Sequence, residues 1–149
     1  MTGYLTEALF TEAAARFGWK MTPQRKAIVD FMVMSHTHPT AEDVFDHVNS
    51  EFPMTSRATI YNTLHLLRDH DLITEISVSG IIRFDPRLTS HYHIICETCG
   101  SVRDVPDGML MLSIHPSYDG IQITNLECVI RCMCEHCRLI SPVLRSVAL

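Results

Sequence analysis

Apolar residues recur at helical spacing through the first half of the chain and at strand-like spacing through the second. Leu5, Leu9, Ala13 and Phe17 form the first helical stripe, and Gly18 ends it. Thr22-Pro23 then supplies a cap residue ahead of a proline at the first helical position. Ala27, Ile28, Phe31 and Met32 give that second helix its buried face. His36-Thr-His38-Pro39 breaks the pattern, because a residue before proline is pushed out of helical geometry. Thr40-Ala-Glu42-Asp43 opens a third helix in the manner of a capping box, with Ala41, Val44, Phe45, Val48 and Phe52 on its apolar side. Ser56 caps a fourth, in which Ile60, Leu64 and Leu67 point inward and Arg57, Thr59, Tyr61 and Asn62 crowd the start. Two strand-like runs follow, Ile73–Val78 and Ile81–Phe84, joined by the hairpin pair Ser79-Gly80.

Three helices and a hairpin in that order describe a winged helix-turn-helix, although they also fit other small helical domains. Beyond residue 90 the pattern changes. Tyr92–Cys96, Ser101–Val105 and Ile121–Cys132 read as strands, and a short apolar stretch, Met109–Ile114, ends at Pro116. Residues 84–90, with Pro86 among them, read as a hinge. The expected chain is therefore α+β, with a winged-helix domain over 1–83 and a small α/β domain over 91–149.

Composition narrows the class. An apolar fraction of 46% and a charged fraction of 19% over 149 residues describe a folded globular protein, not a disordered one. No apolar run approaches the ~20 residues needed to cross a bilayer, so no membrane partner is expected. The first residues lack a basic segment followed by a hydrophobic one, so the expected location is cytoplasmic. Thiols stay reduced there, and six cysteines read better as metal ligands than as disulfides. The net charge of −5 leaves any contact with nucleic acid to a local basic patch.

Cys96-x-x-Cys99 and Cys134-x-x-Cys137 are two matched knuckles, and two such pairs complete a tetrahedral zinc site with no open position. The competing reading is a pair of redox dithiols. Cys128 and Cys132 alternate with Ile130 and read as small strand residues. The polar residues between Asp85 and Asp104 suggest a second centre. His91 and His93 alternate and share a face. Asp85 and Asp104 flank them, and His38 comes from the loop before the third helix. Imidazole and carboxylate donors suit Fe(II), Mn(II) or Zn(II) rather than a soft ion. A two-histidine, one-carboxylate face also occurs in non-haem Fe(II) oxygenases, which would require substrate turnover and an organic pocket.

Several motifs in order now carry a resemblance. Thr22-Pro-Gln-Arg25, His38-Pro-Thr-Ala-Glu-Asp43, Ser56-Arg-Ala-Thr-Ile-Tyr-Asn62, Arg83-Phe-Asp85, His91-Tyr-His-Ile-Ile-Cys96-Glu-Thr-Cys-Gly100, Asp104 and Cys134-x-x-Cys137 together resemble the Fur family of metalloregulators. Aspartate at both 85 and 104 is similar to the family's peroxide-sensing branch; iron-uptake members more often carry glutamate. Ser90 and Tyr92 stand where those members offer ligands to an additional metal site.

The resemblance implies an N-terminal winged helix, a C-terminal dimerisation domain and a homodimer that binds double-stranded palindromic operator DNA. It implies structural zinc on Cys96, Cys99, Cys134 and Cys137, and regulatory Fe(II) or Mn(II) on His38, Asp85, His91, His93 and Asp104. Peroxide reacting with the bound iron would oxidise His38 or His91 and relieve repression, which is sensing rather than enzymatic turnover. An iron- or zinc-responsive uptake regulator is the alternative within the family. In such a dimer the fourth helices would enter successive major grooves, about 34 Å apart. Arg57, Thr59 and Tyr61 would lie near the bases or phosphates, and Arg16, Lys20, Arg25 and Lys26 along the backbone. The chain departs from the family in a shortened segment between Asp104 and Gly120 and in Cys128 and Cys132.

Overall fold

The computed structural model describes residues 3–106, 108–110, 117–118, 120–122 and 128–140. The chain divides into two compact units, Met1–Ser90 and His91–Leu149. Most of the expected apolar element 109–114, Pro116 after it, and the middle of the expected long strand (123–127) lie outside the described residues.

Each helix of the first unit starts at a side-chain cap. Thr6 Oγ1 accepts from the Leu9 amide ahead of α1 (Glu7–Phe17), and Gly18 closes that helix at φ 67°. Thr22 Oγ1 does the same for Arg25 ahead of α2 (Pro23–Met34). At α3 (Ala41–Glu51) the capping box is complete: Asp43 N–H donates to Thr40 Oγ1 at 3.1 Å, and Thr40 N–H donates to Asp43 Oδ2 at 2.7 Å. Ser56 Oγ accepts from the Thr59 amide at 3.1 Å and begins α4 (Arg57–Asp69). Strands β1 (Thr74–Val78) and β2 (Ile81–Asp85) pair antiparallel. Ser79 and Gly80 between them both take positive φ, 52° and 81°, as a two-residue turn that follows the strands' twist requires.

Phe10, Ile28, Met32, Val44, Ile60, Leu64 and Phe84 form the centre of this unit's core. The inner face of α1 is Phe10 and Ala14, one position along from the Leu9 and Ala13 of the sequence pattern. Those two are half-buried, and Phe17 is an exposed ring stacked 5.5 Å from Trp19 and 4.2 Å from His70. Leu5 is buried ahead of the helix, not on it. In α2, Val29 is buried, and Phe31 lies half-buried against the His47 ring at 4.6 Å.

Residues 84–90 belong to the first unit. Phe84 N–H donates to the Pro39 carbonyl at 2.8 Å, Leu5 N–H to the Pro86 carbonyl at 2.7 Å, and Leu88 N–H to the Gly3 carbonyl at 2.8 Å. The stretch expected to hinge is thus tied by its backbone to the N-terminus and to the loop before α3.

The second unit is built on β3 (His93–Cys96), flanked by antiparallel β4 (Val102–Asp104) and parallel β7 (Val129–Cys132). A two-residue ladder pairs β5 (Ser117–Tyr118) with β6 (Ile121–Gln122), and α5 (Glu135–Ile140) follows β7. Among the described residues, its buried apolar side chains are Ile95, Cys96, Val102, Val105 and Cys137. Two of these five described members are thiols.

Candidate metal centres

The four knuckle cysteines come together at one end of the second unit. Cys96 ends β3, Cys99 lies in the turn before Gly100, and Cys134 and Cys137 bracket the first turn of α5. Gly100 closes the first knuckle at φ 69°, donating its N–H to the Cys96 carbonyl at 2.8 Å. The four Sγ atoms all lie within 4.8 Å of one another, and those of Cys99 and Cys134 are 3.8 Å apart. A tetrahedron of thiolates about 2.3 Å from zinc has edges of about 3.8 Å, so the spacing fits.

The thiols are unequally poised. Cys96 is drawn down to about 6, first by the Cys134 amide that donates to its sulfur at 3.3 Å and then by the Cys99 amide. Cys99 is also lowered, chiefly by Ser101, whose Oγ lies 3.3 Å from its sulfur. Cys137 is pushed up to about 12, first by burial and then by the neighbouring sulfurs. Cys132 stands opposite Cys96 in the β3–β7 register, and burial raises its thiol too. It is not one of the four-sulfur group.

Both units carry mixed nitrogen and oxygen donors. In the first unit His38 and Asp85 are both buried, with His38 Nε2 3.6 Å from Asp85 Oδ2. The Arg87 amide donates to Asp85 Oδ1 at 2.8 Å, and Arg83 Nη1 donates to the His38 carbonyl at 3.1 Å. His38 is left-handed at φ 53°, a conformation that histidine visits more readily than most residues but that still costs energy ahead of Pro39. Strain of this kind, held by β2 on one side and by the α3 cap on the other, is common where a side chain is aimed for a task.

In the second unit Asp104 is the cross-strand partner of His93. Its Oδ1 lies 3.4 Å from His91 Nε2 and 3.9 Å from His93 Nε2, and the two imidazole centroids are 4.4 Å apart. His91 precedes β3 instead of lying on it, yet its ring stands beside that of His93. Donors about 2.1 Å from one cation stand roughly 3–4.2 Å apart, and the spacings within each group fall in that range.

The residues proposed from sequence for nucleic acid lie on the first unit. Arg57, Ala58, Tyr61 and Asn62 form the exposed side of α4, while Thr59 is half-buried with its amide on Ser56. Arg16 and Lys20 are exposed, and Arg25 Nη1 donates to the Lys20 carbonyl at 2.5 Å. Lys26 is ion-paired with Glu7 at 3.1 Å and Asp30 at 2.8 Å, so its charge is already answered. Arg57 is held by Glu42, which keeps its guanidinium above the ordinary value through their hydrogen bonds. Sequence reading missed Glu42, Arg83 and Ser101 as supporting residues. Arg83 stood inside a recognised motif, but the reach of Glu42 across 15 positions left no local signal.

The model of the ferric uptake regulator family matches residues 16–127. The chain belongs to that family. It is accordingly a metal-responsive regulator of a family whose named relatives are transcriptional regulators. Among Fur-family relatives, the peroxide-responsive repressor PerR of Staphylococcus saprophyticus is 36% identical over 126 residues, covering 81% of this chain and 84% of that protein. PerR of Staphylococcus aureus is 43% identical over 88 residues, covering 58% of this chain and 60% of that protein. The Helicobacter pylori ferric uptake regulator Fur, described as having three functional metal binding sites, superposes with a TM-score of 0.70 at 19% identity over 91% of this chain and 96% of that one. That likeness establishes the fold, a helical unit closed by a hairpin and followed by a small α/β unit. No helix among the described residues is long and apolar enough to cross a membrane.

Proposed function

We propose that this Fur-family chain is a DNA-binding repressor that senses hydrogen peroxide through a regulatory metal. The observation that carries the reading is the donor set, two imidazole–carboxylate groups with aspartate at both 85 and 104, on a chain 36% identical to a peroxide-responsive repressor.

His38 and Asp85 from the first unit, with His91, His93 and Asp104 from the second, would hold one Fe(II) or Mn(II). Ligands drawn from both units would restrict their relative freedom and favour one arrangement of the paired α4 helices in a homodimer. The bias equals the difference in metal affinity between the arrangements. Cys96, Cys99, Cys134 and Cys137 would hold zinc and keep the small second unit folded. Arg57, Thr59 and Tyr61 at the start of α4 would meet a palindromic operator in the major groove, with Arg16, Lys20 and Arg25 on the phosphates.

His38, Asp85, His91, His93 and Asp104 would hold the ion where peroxide can react with it. Fe(II) there would supply the one-electron chemistry that oxidises an adjacent imidazole, whereas Mn(II) would not. His38 and His91 are the imidazoles assigned to that loss, and either, once oxidised, would bind the ion less well and release the operator.

The test uses the zinc-loaded full chain and a duplex that it selects from a random-sequence pool. Binding should need added Fe(II) or Mn(II), and anaerobic peroxide should abolish it for the iron form alone. Metal-dependent binding that ignores peroxide in both forms would instead assign an iron- or zinc-responsive uptake regulator.

A further inference from the structure

Arg57 is the first residue of α4, and its guanidinium is already engaged. Nε donates to Glu42 Oε2 at 3.1 Å and Nη2 donates to Glu42 Oε1, so one carboxylate takes two prongs of the fork. The Arg57 Cζ also lies 4.3 Å over the Phe45 ring. Glu42 and Phe45 are three residues apart on α3 and so share a face. One side of α3 therefore grips the guanidinium by edge and by plane. Asp46 adds further negative charge from the same helix. The Arg57 and Glu42 side chains are 60% and 53% exposed, so a polyanion can reach the pair.

A guanidinium fork accepts carboxylate and phosphate in the same two-pronged geometry. The Glu42 carboxylate thus occupies the place that a backbone phosphate would take. Together the two side chains carry no net charge. A phosphate that engages Arg57 must displace Glu42 and leave that carboxylate close to the DNA strand.

We propose that Glu42 is a specificity-determining residue, an internal phosphate mimic that weakens contact with non-cognate DNA; this rests on the DNA-binding reading above. The penalty applies wherever Arg57 meets only a phosphate. At a cognate site the same fork can gain a bidentate contact with a base edge, which offsets the exchange. Glu42 therefore lowers non-specific affinity more than specific affinity. An exposed ion pair of this kind corresponds to a factor of about two to five.

Glu42→Gln removes the charge and retains an amide oxygen for Arg57 and the helical backbone of α3. The full chain, loaded with zinc and Mn(II), is titrated by fluorescence anisotropy onto a scrambled-sequence duplex and onto the duplex selected by the wild type, over a KCl series. The variant should bind the scrambled duplex about two- to fivefold more tightly at low salt. Its plot of log affinity against log salt should steepen by about 0.9 for each Glu42 facing the DNA, since each freed Arg57 then releases a counterion. The selected duplex should gain less, so discrimination falls. Adding Arg57→Ala to the variant should erase the gain. An unchanged slope and affinity, or a gain that persists without Arg57, overturns the proposal while leaving the regulator reading intact. If the metal-loaded wild type binds neither duplex, the regulator reading falls and this proposal with it.

Discussion

His38 concentrates the demands made on single residues in this chain. It is buried, left-handed, fixed before a proline and held beside Asp85. Asparagine tolerates left-handed backbone, so His38→Asn separates loss of the imidazole from loss of the conformation. The variant should keep its zinc and its helical signal in circular dichroism. Its Mn(II) affinity should fall by more than the roughly 10–100-fold that losing an outer-shell partner costs, as read by isothermal titration. The cysteines give a second expectation at this scale. Cys96 is a thiolate above about pH 6, whereas Cys137 keeps its proton to about pH 12. Zinc binds thiolates, so between these limits its uptake must displace the Cys137 proton. Apparent zinc affinity should therefore rise steadily from pH 7 to pH 9 in competition with a chromophoric chelator. The two kinds of candidate donor were legible in the sequence, because soft and hard donors differ by residue type and spacing. Their unequal acidity was not, because it comes from amides and burial that only the folded knuckles provide.

At the level of elements, the α3 cap matters beyond the helix it starts. Thr40 closes the capping box and, through its bridge to Arg83, lies next to the strand that carries Asp85. Thr40→Ala should cost about 1 kcal/mol in urea unfolding. It should also weaken Mn(II) binding, because the residue two places before the cap is His38. All four helices and the wing were readable in advance, since caps, prolines and the Ser79-Gly80 turn act within a few residues. The inner stripe of α1 shifted by one position because tertiary packing, and not spacing, selected Phe10 and Ala14. The stretch 84–90 looked like a hinge for its Pro86, yet its carbonyls and amides are taken by Gly3 and Leu5. A pairing across more than eighty positions leaves no trace in local pattern, and neither does the alignment of Cys132 with Cys96.

For the whole molecule, the two units differ in what holds them. The first has a sizeable apolar core, while among its described residues the second buries five apolar side chains and gathers four thiols among them and beside them. Chelating the zinc should therefore unfold the second unit and leave the first intact. Trp19, the chain's one tryptophan, sits in the first unit against Phe10 and His70 and reports on that unit alone. Its fluorescence should be unchanged after chelation, while strand signal in circular dichroism falls. A family resemblance supplied the proposed link between His38 and the histidines of the second unit, and under the proposed function that link would make the chain a sensor and not merely a binder. The most direct test of it is the mass of the tryptic peptides after anaerobic peroxide treatment of zinc-loaded protein carrying Fe(II) or Mn(II). His91 lies on the peptide between Arg87 and Arg103, which contains no methionine, and His38 on that between Lys26 and Arg57, where fragmentation must separate it from Met32, Met34 and Met54. One added oxygen is expected on His38 or His91 with iron and none with manganese. Loss of operator binding by the iron form with both histidines unmodified would contradict this expectation.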